Sequence, residues 1–263
     1  MAYNTLLVDK ADGVATITLN RPDRLNALNT EIMVEMLAAI EEIDADSAIR
    51  CLLITGAGRG FCSGADLASG DLTKDGGMPD LGKALHNNYH PVIRKLAALR
   101  MPIVCAVNGP AAGAGMSLAL TGDIVIAGQS ASFLQAFANI GLVPDAGSTY
   151  FLPRLVGSAR AQGLTMLGEP LPAQTAAEWG MIWKCVDDSA LMDEARKVAT
   201  KFARGPTVGL GLIRQLMQQS WNASLDSQLE AERSAQRVAG RSRDFVEGVM
   251  AFLQKRPAKF TGQ

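Results

Sequence analysis

Three short, unbroken apolar runs, each followed by glycine, constrain the fold of this chain more than any other feature. They are Cys51–Thr55 before Gly56, Ile103–Val107 before Asn108-Gly109, and Ile124–Ala127 before Gly128. A strand with one face in water alternates apolar and polar residues, whereas a strand buried on both faces does not. The runs therefore predict a parallel sheet that helices cover on both sides, which is an α/β fold.

The segments around these runs complete the expected layout. Asp12-Gly13 separates two β-rich runs, which favours a hairpin, and apolar residues recur at helical spacing over Glu31–Ile43. Strand patterns stop after about residue 189, and only helical patterns follow. We predict an α/β core over residues 1–190 and a helical region over residues 191–263. Apolar stripes on that second region suggest packing on a partner subunit.

Composition and charge exclude several classes of protein. The 263 residues include 25 Lys+Arg and 26 Asp+Glu, and 48% are hydrophobic, so an extended disordered chain is excluded. The net charge of −1 gives no reason to expect a nucleic acid or an anionic membrane as partner. No apolar run approaches the ~20 residues that span a bilayer, and the N-terminus lacks a secretory signal. We expect a soluble, cytoplasmic protein.

Several catalytic motifs begin in this chain but are incomplete. Its two histidines, His86 and His90, have the spacing of a zinc-binding helix but lack the glutamate between them. Gly56–Phe61 departs from the dinucleotide-binding pattern at its last position. Gly115–Ala119 lacks the final glycine of a nucleophile elbow, and no histidine follows it. We expect no metal, no dinucleotide cofactor and no serine-hydrolase chemistry.

Two loops rich in small residues follow buried strands, at Gly60–Leu67 and Asn108–Gly115. Small residues allow a ligand to approach the backbone, and free N–H groups attract negatively charged oxygen. If the loops lay at neighbouring strand ends, two N–H groups could bind one carbonyl oxygen as an oxyanion hole. On glycine content alone, tight turns and helix packing are the better explanation.

Together with further motifs, these loops resemble the enoyl-CoA hydratase/isomerase (crotonase) superfamily over essentially the whole chain. The motifs are Leu19-Asn20-Arg21-Pro22, Leu25-Asn26-Ala27-Leu28, Phe61–Leu67, Ala106-Val107-Asn108-Gly109, Gly113-Ala114-Gly115 and Gly141-Leu142-Val143-Pro144. Each motif is weak alone, but their order and spacing are specific. The resemblance implies a crotonase-like spiral of ββα units with a helical trimerisation region. It also implies an acyl-CoA substrate, no cofactor beyond that coenzyme A, and a homo-oligomer, either a trimer or a dimer of trimers.

The same resemblance implies a set of site residues. The N–H groups of Ala65 and Ala114 would hold the thioester oxygen. The residues implied to contact the substrate or its coenzyme A are Arg24, Leu25, Ser63, Gly64, Asp66, Leu67 and Phe137. Arg24 would lie near the phosphates, although surface solvation explains it equally well on sequence alone.

Departures from the hydratase pattern favour an isomerase. Hydratases of this superfamily carry glutamates at the positions of Ser117 and Phe137, so efficient hydration is not expected. Asp145 matches the acid/base aspartate of the isomerase branches, although Pro-Asp-x-Gly is also a common turn sequence. The pattern Gly141–Asp145, together with Glu178–Trp183 and Phe260–Gly262, most resembles the ring-epoxide isomerases of bacterial phenylacetate breakdown. The implied reaction shifts a double bond, or converts 1,2-epoxyphenylacetyl-CoA to oxepin-CoA, through a thioester enolate.

Three alternatives remain open from the sequence. One is an enoyl-CoA hydratase of fatty-acid oxidation. Another is an arene-CoA dehalogenase, for which His90 lies near the matching place, although that branch carries tryptophan at the position of Phe137. The third is an RNA-binding or scaffold protein, which the balanced charge argues against. Separately, the polar segment Ser69–Asp80 predicts a mobile loop that shapes the acyl pocket.

Overall fold

A computed structural model describes residues 3–68 and 80–263, in which strands alternate with helices up to residue 190. The strands are β1 (Leu6–Ala11), β2 (Val14–Leu19), β3 (Cys51–Gly56), β4 (Ile103–Val107), β5 (Ala111–Ala112), β6 (Ile124–Gly128), β7 (Ser132–Leu134), β8 (Leu171–Pro172) and β9 (Lys184–Val186). The helices are α1 (Thr30–Ala45), α2 (Leu81–Ala84), α3 (His90–Ala98), α4 (Ala114–Ala119), α5 (Ser148–Leu167), α6 (Ala173–Glu178), α7 (Leu191–Ala203), α8 (Thr207–Ser220), α9 (Leu225–Ala239) and α10 (Arg243–Leu253). The loop predicted over Ser69–Asp80 lies outside the described residues except for Asp80, which caps α2.

Six strands form the main sheet, in the order β1-β2-β3-β4-β6-β9. β1 and β2 are antiparallel, and the turn at Asp12 and Gly13 has φ of +51° and +78°. The predicted hairpin is therefore confirmed, in a left-handed turn that Asp-Gly favours. The other neighbouring pairs are parallel. A smaller sheet has the order β5-β7-β8.

Both faces of the main sheet are covered, which explains the unbroken apolar runs. Cys51 and Leu53 of β3 pack against α7. Leu52 and Ile54, which point to the opposite face, pack in a larger core that includes α1 and α3. The α/β prediction is confirmed. Because α7 begins at Leu191 and packs on the sheet, it contributes to the core, and the division between residues 190 and 191 stays a prediction.

Residues 191–263, all of them described, contain helices and no strand, as expected. An ion pair between the buried Arg214 and the partly exposed Asp123 ties α8 to the core, with Arg214 Nε 2.8 Å from both carboxylate oxygens. The same guanidinium donates to carbonyls at the C-terminal end of α3, those of Leu96, Ala97 and the C-cap residue Leu99. These partners satisfy a charge that burial would otherwise penalise heavily. No helix among the described residues is long and apolar enough to cross a membrane.

Candidate active site

The two loops of small residues meet beyond the ends of the paired strands β3 and β4. The N–H groups of Phe61 and Cys62 each donate to the carbonyl of Pro110 at 3.1 Å. The N–H of Ala112 donates to the carbonyl of Cys62 at 2.9 Å. These bonds form a parallel bridge between Cys62 and Ala111 that joins the loops. The expected convergence at neighbouring strand ends is therefore present.

Gly64 shows how closely the loops approach each other. Its φ is +93°, and a Cβ at this position would lie 2.8 Å from the carbonyl oxygen of Ala112. The same Cβ position lies 3.6 Å from the backbone nitrogen of Ala114. Only glycine fits there without displacing backbone, so this residue brings the first loop against the start of α4.

The N–H groups of Ala65 and Ala114 are both available at this junction. Ala65 forms a parallel bridge with Leu28 through its neighbours, Gly64 accepting at 2.7 Å and Asp66 donating at 2.9 Å. In that pattern the N–H of the bridged residue points away from its partner. Ala114 is the first residue of α4, where N–H groups have no acceptor within the helix. Within the described parts of the chain, neither N–H has a hydrogen-bond acceptor. Two such donors can stabilise an oxygen that becomes negatively charged.

Asp145 lies in a strained turn directly before α5. Ala146 has φ of +48° and Gly147 has φ of +86°. A left-handed alanine costs on the order of 1 kcal/mol, and such strain is typical of functional sites. The Asp145 carbonyl accepts hydrogen bonds from the Ser148 N–H at 2.9 Å and the Ser117 hydroxyl at 3.0 Å. Since Ser117 belongs to α4, the turn is tied to the helix that begins at Ala114.

The environment of Asp145 suits proton transfer. Burial raises the pKa of this carboxyl to about 6. Its Oδ1 is buried and has no hydrogen-bond partner among residues 3–68 and 80–263. A carboxyl with a pKa near 6 is largely ionised at pH 7, yet it is a stronger base than an exposed aspartate. It can accept a proton and return it.

Neither position matching a hydratase glutamate holds a carboxylate. Ser117 is fully buried, and its hydroxyl bonds backbone carbonyls. Phe137 is 7% exposed, and its ring lies 3.6 Å from the place that a Cβ would occupy on Gly113. An apolar ring therefore lies beside the start of α4, at a position where activation of water would need an acid or a base.

The residues predicted to contact coenzyme A lie together in the first loop and the turn after β2. The N–H of Ser63 donates to the carbonyl of Leu25 at 2.9 Å, and its hydroxyl to that of Arg24 at 3.2 Å. The Arg24 side chain is exposed, and Leu67 is 56% exposed. Asp66 differs, because its carboxylate forms an ion pair with Arg21 at 2.7 Å. All these binding roles stay predictions.

Sequence reasoning missed two buried polar residues of this region, Gln135 and Ser148. Both are fully buried. The available signal for Gln135 was a polar residue at the buried phase of an alternating pattern, between Phe133 and Phe137. No group of three or more His, Cys, Asp or Glu side chains that could hold a metal ion occurs in the described part of the chain.

Comparison with known proteins gives end-to-end matches. The sequence profile described as enoyl-CoA hydratase/isomerase matches residues 9–263. The chain is 53% identical to 1,2-epoxyphenylacetyl-CoA isomerase of Escherichia coli K12, covering 95% of this chain and 96% of that protein. It is 43% identical, over the whole of both chains, to a Rhodobacter capsulatus protein named "Probable enoyl-CoA hydratase". The crystal structure of enoyl-CoA hydratase from Bacillus anthracis superposes with a TM-score of 0.93 at 29% identity, covering 99% of this chain and 100% of that one. The expected spiral α/β fold with a helical C-terminal region is confirmed.

Proposed function

Because the chain belongs to the enoyl-CoA hydratase/isomerase family, we propose that it is an isomerase of acyl-CoA thioesters with Asp145 as its acid and base. Family membership itself supports an enzyme that acts on coenzyme A thioesters. The observation that carries the finer assignment is the link from Asp145 through Ser117 to α4, 3.0 Å between hydroxyl and carbonyl. It holds the turn that carries this partly buried carboxylate in a fixed relation to the helix that begins at Ala114.

In the proposed mechanism, Asp145 removes a proton from the carbon next to the thioester carbonyl. The electron pair moves onto the carbonyl oxygen, and the N–H groups of Ala65 and Ala114 stabilise the enolate, typically the largest catalytic contribution. Asp145 then returns the proton to the far end of the conjugated system, which shifts the double bond. One carboxylate suffices because no water is added. The reaction needs no cofactor beyond the coenzyme A of the substrate.

For the acyl group, we propose 1,2-epoxyphenylacetyl-CoA, with oxepin-CoA as the product. The 53% identity to the E. coli isomerase of that name supports this choice. The apolar ring of Phe137 beside Gly113 also suits a cyclic, unsaturated acyl group. Formation of the same enolate would open the epoxide and allow the ring to expand.

Ultraviolet absorbance of the enzyme mixed with a 3-enoyl-CoA or with a 2-enoyl-CoA tests the reaction type. Conjugation of the double bond with the thioester raises absorbance, whereas hydration of the conjugated ester lowers it. We expect a rise with the 3-enoyl substrate and no change with the 2-enoyl substrate. A fall with the 2-enoyl substrate would mean that the enzyme activates water without the two glutamates, and the hydratase assignment would replace this one.

We also propose that the protein assembles as a homo-oligomer, a trimer or a dimer of trimers. The support is a set of exposed apolar side chains on α8, α9 and α10, which water-facing helices rarely carry together. They are Ile213, Met217, Leu225, Leu229, Val238, Phe245, Val246, Val249, Met250, Phe252 and Leu253. Light scattering after size exclusion measures the mass directly, and a monomer would refute the proposal.

A further inference from the structure

Unpartnered buried polar atoms are concentrated in one part of this chain. Of the six such side-chain atoms within residues 3–68 and 80–263, four belong to Gln135, Asp145 and Ser148. They are both amide atoms of Gln135, Oδ1 of Asp145 and Oγ of Ser148. A buried polar group without a partner destabilises a fold, so native proteins contain few and each needs an explanation. Asp145 is explained by its proposed role, and the other two residues are not.

Gln135 follows β7 where that strand reaches the start of α4. The N–H of Gly113 donates to the carbonyl of Leu134 at 2.8 Å. Burial alternates along this segment, so Gln135 is buried together with Phe133 and Phe137 while the residues between them are half-buried. The Phe137 ring in turn packs at Gly113. The Gln135 amide is therefore a buried polar group on the segment that is hydrogen-bonded at the start of α4, two residues before the Phe137 ring that packs there.

Ser148 reaches the same helix from the other segment. Its N–H donates to the Asp145 carbonyl at 2.9 Å, and the Ser117 hydroxyl of α4 donates to that carbonyl at 3.0 Å. The hydroxyl of Ser148 is fully buried and has no partner of its own in the described residues. Gln135 and Ser148 thus lie on two segments that are each hydrogen-bonded at α4, one at its N-cap Gly113 and the other at Ser117.

We propose that the Gln135 amide and the Ser148 hydroxyl bind an oxygen atom carried by the acyl group, beside Asp145. This inference rests on the proposed function, which assigns the thioester oxygen to Ala65 and Ala114 and leaves these donors for a second oxygen. Amide N–H and hydroxyl groups both donate to uncharged ether, epoxide or hydroxyl oxygens. The subsite selects an oxygenated acyl group over a hydrocarbon of equal size, because the hydrocarbon would leave these donors unpaired.

Calorimetric titration with 2-hydroxyphenylacetyl-CoA and with phenylacetyl-CoA tests this selectivity without turnover. The two ligands share ring and thioester and differ by one oxygen atom. We expect the native enzyme to bind the hydroxylated ligand roughly tenfold more tightly, and Gln135→Met and Ser148→Ala each to lower that ratio toward one. Gln162→Met is the matched control, because Gln162 is exposed on α5 and its side chain bonds only to Ser158 among described residues. It should keep the ratio.

The outcomes separate the possible roles of these residues. Equal affinity of the native enzyme for both ligands, or an unchanged ratio in both variants, would overturn the proposal and leave buried water as the partner. If Gln135→Met had a lower melting temperature and lost affinity for both ligands to the same extent, the role of Gln135 would be structural, and the proposal would also be overturned. If the native enzyme showed no isomerase activity in the absorbance assay but still bound the hydroxylated ligand more tightly, the proposed function would be refuted and the oxygen subsite would stand.

Discussion

Replacing Asp145 with asparagine separates the catalytic and the folding consequences of burying one carboxyl group. Burial raises its pKa from 3.8 to about 6. Between about pH 4 and pH 6 the folded protein therefore holds a proton that the unfolded chain has released. The stability contributed by this protonated group is full below the unfolded pKa and is lost as the pH rises through the folded pKa. Asparagine does not titrate, so Asp145→Asn should gain stability relative to the native protein across this window.

The size of the gain follows from the pKa difference. A shift of about two units corresponds to about 3 kcal/mol at most above pH 6. Because the side chain is partly exposed, solvent screening reduces this, and we expect about 1–2 kcal/mol. Turnover should fall by roughly 10²–10⁴, since an asparagine amide cannot take the proton, while affinity for the coenzyme A ester stays within a few-fold.

Urea unfolding of both proteins at pH 4 and pH 8 measures the difference in free energy of unfolding. The same difference at both pH values would refute the burial argument. For the native enzyme, kcat/KM should fall below about pH 6, as the carboxylate becomes protonated. Turnover that survives in Asp145→Asn, or a profile without that acid limb, would refute the catalytic assignment.

Other expectations concern positioning and folding. Ser117→Ala removes a donor to the Asp145 carbonyl, so kcat should fall roughly tenfold with KM nearly unchanged in steady-state kinetics. Gly64→Ala places a Cβ 2.8 Å from a backbone oxygen and should lower kcat/KM by at least about 100-fold. Gly141→Ala, at φ +75° with open space around it, is the control and should only lower the melting temperature slightly. Arg214→Met removes the ion pair with Asp123 and the donors to three backbone carbonyls, while Asp123 keeps the hydrogen bond from the Ile103 N–H, so the free energy of unfolding should fall by about 1–3 kcal/mol in urea denaturation.

Much of the fold follows from local patterns. Asp12-Gly13 predicts its hairpin because the dipeptide tolerates the positive φ that the turn adopts. The run from Cys51 predicts a strand covered on both faces because alternate residues meet different layers. Contacts between distant segments leave no such local signal. The bond from Ser117 to the Asp145 carbonyl spans 28 residues, and nothing in the spacing of these residues indicates it.

The sequence by itself determined which strands are doubly buried, where the chain becomes wholly helical, and that no carboxylate stands at Ser117 or Phe137. Residue type and periodicity settle these properties, because they are local to each segment and do not depend on which distant segments pack against it. Only the tertiary structure decided that Gly64 lies against the start of α4 beside Ala114, and that burial raises the pKa of Asp145 to about 6. Convergence depends on the close approach of two loops, and the pKa depends on how much water the fold removes from one carboxyl group.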